Sequence, residues 1–86
     1  MPTISRFFGI EIRMYYDDHA PPHFHAYYGG EGAVITIDRL EVIEGGLAKR
    51  PLSLVLEWAQ LHRDELREDW KLAEMHQALK PIPALD

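Results

Sequence analysis

The chain has 86 residues, of which 47% are hydrophobic, and it contains no cysteine. This length allows one domain with a modest core, and the composition is that of a globular rather than a disordered protein. The net charge of −5 disfavours a general nucleic-acid-binding surface. The lack of cysteine excludes disulfides and thiolate metal sites, and no apolar run reaches the length of a membrane span. We therefore expect a cytoplasmic protein of bacterial type that does not enter membranes.

Residues 1–46 make up the predicted β-sheet part of the chain. Residues 3–8 are rich in β-branched and aromatic side chains, which predicts a short strand. Residues 10–16 alternate between apolar and polar side chains, the period of a half-buried strand. The alternation assigns three side chains to the core and two to the polar face: Ile10, Ile12 and Met14 inside, Arg13 and Tyr15 outside. The polar pair are candidate contacts for a phosphate or a partner.

Residues 17–22, Asp-Asp-His-Ala-Pro-Pro, predict a stiff corner. Two consecutive prolines restrict φ and remove two backbone donors, so the segment is neither helix nor central strand. A cis bond before Pro21 or Pro22 is the minority alternative. The strand that follows is predicted over residues 23–28.

Three of the five histidines lie in or directly after this corner. On the predicted strand, His23, His25 and Tyr27 share one face because side chains two positions apart point the same way. The corner is able to fold His19, Asp17 or Asp18 back toward that face. Tyr27 is a further candidate contact for a phosphate or a partner.

Three interpretations of this histidine cluster stay open. In the first, His19, His23 and His25, with Asp18 as a further ligand, bind a zinc-like divalent transition metal and leave a position for water. In the second, His23 and His25 act without metal as general acid and base, and Arg13 neutralises a phosphate. In the third, the histidines only bond to backbone carbonyls at the corner or form a binding surface.

The rest of the sheet is predicted from short segments with short connections. A glycine-rich hairpin loop covers residues 29–32, and residues 33–38 predict a strand. Residues 40–44 predict a fifth strand or an edge. Connections this short suit an antiparallel meander, since parallel crossovers need a dozen residues or more.

From Pro51 onward the apolar period changes from two residues to three and four. Proline suits the first turn of a helix, where its missing N–H matters least. Residues 51–79 therefore predict one long helix, or two helices joined near residues 62–64, where an aspartate is placed to cap the second. Trp58 and Trp70 are expected to anchor this helical part to the core.

Two histidines and the C-terminal residues remain. His62 is expected to be partly exposed on the helix, with an approach to the sheet site as a fourth ligand or orienting group as the alternative. His76 is expected to be solvated. Residues 80–86 alternate proline with apolar side chains and predict an extended tail, which either frays or docks Ile82 and Leu85 in a groove of this chain or a neighbouring one.

The predicted fold is a single α+β domain over residues 1–86. An antiparallel meander of four to five strands packs against one long or two consecutive C-terminal helices. The side chains expected in the core between these layers are Ile12, Phe24, Ile35, Val55, Ala59 and Trp70. A sheet edge is the candidate surface for a homodimer.

Five segments of the chain resemble domain-of-unknown-function family 4160, namely residues 1–9, 12–16, 19–25, 42–45 and 58–70. The central segment is the motif His-x-Pro-Pro-His-Phe-His. The resemblance implies a small prokaryotic α+β protein. Members are often encoded beside another small domain in toxin–antitoxin-like pairs, and some carry the label of transcriptional regulator. No established activity comes with the family.

Three functions follow from the residues and the resemblance. The first is a protein-binding component of a toxin–antitoxin-like module, with a small partner encoded nearby and a histidine-rich surface site. The second is a metal-dependent or histidine acid–base hydrolase, most plausibly a ribonuclease. The third is a DNA-binding transcriptional regulator, ranked last because the helical part is acidic and shows no helix-turn-helix spacing.

Overall fold

The structure is a computed structural model that describes residues 2–86. Five strands precede two helices, and their order is β1 (Thr3–Phe7), β2 (Ile10–Arg13), β3 (His23–Tyr28), β4 (Glu31–Thr36), β5 (Val42–Gly45), α1 (Lys49–Leu61) and α2 (Arg63–Glu74). Each strand pairs antiparallel with the next one in the chain, so the sheet is a five-stranded meander. The predicted α+β meander is confirmed, with five strands and two consecutive helices.

The strand register brings the apolar side chains of neighbouring strands to one face of the sheet. Ile12 lies opposite Ala26, and Phe24 lies opposite Ile35. The helices cover this face, and the ring of Phe24 meets the ring of Trp58 edge to face with centroids 6.0 Å apart. All the side chains predicted for the core are buried, namely Ile12, Phe24, Ile35, Val55, Ala59 and Trp70.

The strand β2 is shorter than the alternation of residues 10–16 predicts. It ends at Arg13, although the N–H of Met14 still donates to the carbonyl oxygen of Pro2 at 3.2 Å. The chain then turns at Asp17, whose φ is +59°. The alternation identified the buried side chains of this segment but not the turn that ends the strand.

The two helices join at His62, which caps the end of one and the start of the other. Its φ of −121° is not helical, and its N–H donates to the carbonyl oxygens of Trp58 and Ala59. The predicted aspartate cap is wrong, because His62 holds that position and Asp64 lies in the first turn, where a negative charge favours the helix dipole. Within residues 2–86, no helix combines the length and the apolar character needed to cross a membrane.

The prediction of helix over residues 51–79 is wrong at both ends. The first helix begins two residues earlier, and α2 ends at Glu74. The chain leaves α2 through His76 at φ +56°, and the N–H of Gln77 donates back to the carbonyl oxygen of Leu72 at 2.9 Å. This is the hydrogen-bond pattern of a Schellman motif, which usually uses glycine. Because no glycine marks the position, the sequence carried no signal for it.

The C-terminal tail docks on the same chain. The N–H of Ile82 donates to the carbonyl oxygen of Ile4 at 2.8 Å, and the indole Nε1–H of Trp58 donates to the carbonyl oxygen of Pro83 at 2.8 Å. The side chain of Ile82 is buried and that of Leu85 packs beside the core. The tail therefore covers the outer edge of β1.

Candidate functional site

The face of the sheet opposite the helices carries the polar side chains of β2 and β3. Arg13 lies opposite His25 in the register, and Glu11 lies opposite Tyr27. The strand alternation also directs His23, the first residue of β3, to the same side of the strand as His25, although the His23 ring lies where this face meets Trp70 of α2. The predicted contact residues of two strands therefore meet on one surface.

The corner before β3 brings a carboxylate to two of the histidines. The corner contains a cis peptide bond between Ala20 and Pro21. Asp18 Oδ2 lies 2.7 Å from His23 Nε2 and 3.3 Å from His25 Nε2. One ligand atom from each of these three side chains lies within 4.8 Å of the others. We call this group the Asp-His-His site.

Asp18 is held as a carboxylate in this site. Its partial burial opposes ionisation, but the hydrogen bonds from His23 and His25 outweigh that effect and lower the pKa of Asp18 below its ordinary value. The backbone N–H of His19 also donates to Asp18 Oδ1 at 3.1 Å. An ionised carboxylate only accepts hydrogen bonds, so both histidines present an Nε2–H to it.

The ring of His23 is fixed on both sides. Its Nδ1 lies 2.7 Å from the carbonyl oxygen of Pro21, which is also only an acceptor. The ring is buried and packs against the indole of Trp70, with centroids 5.1 Å apart. Its position is therefore set before any ligand binds.

Two tyrosines form a wall beside His25. The hydroxyl oxygens of Tyr15 and Tyr27 lie 2.9 Å apart, and the ring of Tyr15 meets the His25 ring edge-on with centroids 4.5 Å apart. Burial, together with the hydrogen bond to Tyr15, raises the pKa of Tyr27 to about 12. The Tyr27 hydroxyl is therefore neutral near pH 7 and acts as a hydrogen-bonding group rather than as a base.

Arg13, which was predicted to contact a phosphate, is instead paired with the carboxylate of Glu11. Its Nε donates to Glu11 Oε2 at 2.9 Å and its Nη2 to Glu11 Oε1 at 3.1 Å. The hydrogen bond from Arg13, followed by that from Thr3, lowers the pKa of Glu11 to about 2. The guanidinium also lies over the ring of Tyr27, 4.9 Å from its centroid. The positive charge of Arg13 is thus already compensated within the protein.

The structure does not bring His19 into the Asp-His-His site. Its side chain is 94% exposed, and its Nδ1 lies 3.5 Å from the other oxygen of Asp18. The predicted ligand set of three histidines therefore changes in one member, with Asp18 in the place of His19. Asp18 replaces His19 in the ligand set because the path of the corner turns the Asp18 side chain inward and the His19 side chain outward.

The two histidines of the helical part lie elsewhere. His62 pairs with Glu65 at the junction of α1 and α2 and is not in the Asp-His-His site. His76 is exposed, as predicted, and its Nε2 lies 2.8 Å from Asp17 Oδ1. Sequence reasoning missed this second aspartate–histidine pair because its members are 59 positions apart and nothing in the local pattern connects them.

The outer edge of β5 is a second surface of functional interest. All residues of Val42–Gly45 are exposed, with Val42 at 38% and Ile43 at 52%. Among residues 2–86, no strand pairs with this side of β5. A groove of about 350 Å³ runs beside it, and Ile43 lines that groove together with Pro21 and Pro22. The histidine-bearing corner and the open edge therefore border the same groove.

A glycine sets the position of β5 against β4. Gly45 has φ +67°, and a Cβ atom on it would lie 2.2 Å from the carbonyl oxygen of Gly32. The next residue, Gly46, donates its N–H to the same oxygen at 3.0 Å. Only glycine combines this backbone conformation with so close an approach.

These features define a small α+β protein with a partly buried histidine cluster on its sheet and, within residues 2–86, a free sheet edge at β5. Residues 9–71 match the family described as "Domain of unknown function (DUF4160)", and the chain belongs to that family. The match includes the Asp-His-His site and all of β5. No curated protein and no solved structure matches the chain. The family description assigns no activity, so function is argued from the two surfaces.

Proposed function

We propose that this protein is a protein-binding component of a toxin–antitoxin-like module, and that its partner adds an extended segment to the free edge of β5. The exposure of every β5 residue beside an unpaired edge carries this proposal. An open edge presents backbone donors and acceptors to an incoming strand, which is a recurrent mode of peptide recognition.

The side chains around β5 indicate the chemistry of the partner segment. Val42 and Ile43 offer an exposed apolar surface, and Glu41 and Glu44 flank them. Neither glutamate belongs to an ion pair within residues 2–86. A β-prone segment with basic side chains complements this edge in both packing and charge.

The first prediction tests binding at the edge. The protein is co-expressed with the product of the neighbouring gene, and a complex that stays together at micromolar concentration is expected. Replacing Val42 and Ile43 with lysine adds two charges and removes the apolar surface, so we expect at least about a tenfold loss of affinity.

Leu61→Lys provides the matched control for that experiment. Leu61 is also exposed and apolar, but it lies at the end of α1 rather than on β5. This variant should bind as the wild type does. Two proteins that elute separately at micromolar concentration, or an edge variant with unchanged affinity, would rule out the proposal.

A hydrolase is the second candidate function, favoured by the convergence of His23 and His25 on Asp18. The ribonuclease version has less support, because the charge of Arg13 is compensated by Glu11. A His25→Ala variant with unchanged nuclease activity and metal content would remove this candidate. The regulator hypothesis stays a prediction, to be tested by a gel shift at physiological salt.

A further inference from the structure

We propose that the Asp-His-His site binds one divalent transition-metal ion through Asp18 Oδ2, His23 Nε2 and His25 Nε2. Its ligands come from β3 and from the corner before that strand, not from β5, so metal binding and partner binding are separate proposals.

Two of the three distances between the ligand atoms are close to those of a metal site, and all three atoms lie within 4.8 Å of one another. With bonds of about 2.0 Å, the donor atoms of a tetrahedral zinc site lie about 3.3 Å apart. The distance from Asp18 Oδ2 to His25 Nε2 is already 3.3 Å, and that to His23 Nε2 is 2.7 Å. An ion therefore requires the shorter distance to open by about 0.6 Å. The bound ion replaces the two hydrogen bonds that join His23 Nε2 and His25 Nε2 to Asp18 Oδ2.

Two of the three ligands are oriented by a second contact. Histidine ligands commonly donate their other ring N–H to a carbonyl or carboxylate, which fixes the tautomer and the ring plane. His23 meets this condition through its Nδ1 contact of 2.7 Å with the carbonyl oxygen of Pro21. Asp18 is oriented through Oδ1, which accepts the N–H of His19. The diproline corner thus supplies Asp18 as a ligand and the Pro21 carbonyl oxygen, which orients the ligand His23.

The ligand types select the class of metal. Two imidazoles and one carboxylate suit zinc, iron(II), cobalt or nickel, whereas magnesium and calcium prefer oxygen ligands. Three protein ligands leave at least one position for water. The side chains of Asp18 and His25 are 20% and 19% exposed, so an ion has a path to the site.

The test is a titration of the full chain, first treated with a chelator, with zinc and with cobalt(II). We expect one equivalent of each metal to bind, by calorimetry for zinc and by visible absorption for cobalt. His25→Ala and Asp18→Asn should each weaken binding by at least about tenfold, since the first removes a ligand and the second replaces an anionic carboxylate with a weaker, neutral amide ligand. Far-UV circular dichroism establishes that each variant is folded.

His76→Ala and His19→Ala are the matched controls, since each removes an exposed histidine that lies beside an aspartate but outside the ligand set. Both should keep the wild-type affinity. Nitrogen-15 NMR of the imidazoles should show zinc at the Nε2 atoms of His23 and His25, with Nδ1–H retained on His23.

Two results would overturn the metal site. One is a titration in which neither zinc nor cobalt(II) forms a one-to-one complex when the metal concentration reaches that of the protein. The other is binding that survives both His25→Ala and Asp18→Asn, or that is lost with a control variant. Partner binding at β5 is measured separately, so either proposal can fail without the other.

Discussion

The two edges of the sheet are treated in opposite ways. At β1, the tail donates a backbone N–H from Ile82 to Ile4 and buries the Ile82 side chain to 5% exposure. At β5, Val42 and Ile43 remain in solvent. An unpaired edge invites pairing with another chain. The tail therefore shows, within one molecule, how an extended apolar segment occupies an edge of this sheet, and we propose that a partner does the same at β5.

The largest expected effect comes from the covered edge. Ile82→Ala should lower the free energy of unfolding by about 2–4 kcal/mol, because it removes a buried side chain and leaves a cavity. Ile43→Ala on the open edge should cost less than about 1 kcal/mol, because that side chain is half exposed. Urea unfolding of both variants measures the difference, and equal losses would contradict docking of the tail.

The next effect concerns the placement of the open edge. Gly45→Ala should lower the free energy of unfolding by about 1–3 kcal/mol, because φ is positive and the new Cβ meets the Gly32 carbonyl. Gly46→Ala is the control, since in the described part of the chain, apart from the two adjacent residues, no atom lies within 4 Å of its added Cβ. Its effect should stay within about 0.5 kcal/mol. Hydrogen exchange should show lost protection in β5 for the first variant only.

The smallest effect concerns the anchor of the tail at Asp69. Its Oδ1 accepts the N–H of Lys80 at 2.9 Å, while its Oδ2 is buried and has no hydrogen-bond partner among residues 2–86. Burial raises the pKa of Asp69 above 3.8. A carboxyl group whose pKa is higher in the folded state than in the unfolded state contributes stability at a pH below its unfolded-state pKa. That contribution is lost as the pH rises through the folded-state pKa.

Asp69→Asn removes this titration. The stability of the wild type relative to the variant should therefore fall as the pH rises from about 3.8, the ordinary value for aspartate. Urea unfolding at a series of pH values measures it. Parallel curves for the two proteins would show that Asp69 does not titrate differently in the folded state.

Features that depend on residues close together in the chain were predictable from the sequence, and features that depend on distant residues were not. The antiparallel pairing of β3 with its neighbours follows from the short connections between the strands. The shared side of His23 and His25 follows from a period of two, which is a property of nearby residues. The end of α2 did not follow, because His76 takes a conformation that glycine normally supplies. The Arg13–Glu11 pair was also missed, although the two residues are only two positions apart on one strand.

The sequence by itself determined the α+β meander, the buried face and the stiffness of the diproline corner, because alternation, helical period and proline geometry act over a few residues. Only the tertiary structure decided that Asp18 rather than His19 faces the two histidines, and that the tail covers β1 while β5 stays open. Those outcomes depend on the dihedral angles of one corner and on contacts such as Ile82 with Ile4, between residues far apart in the chain.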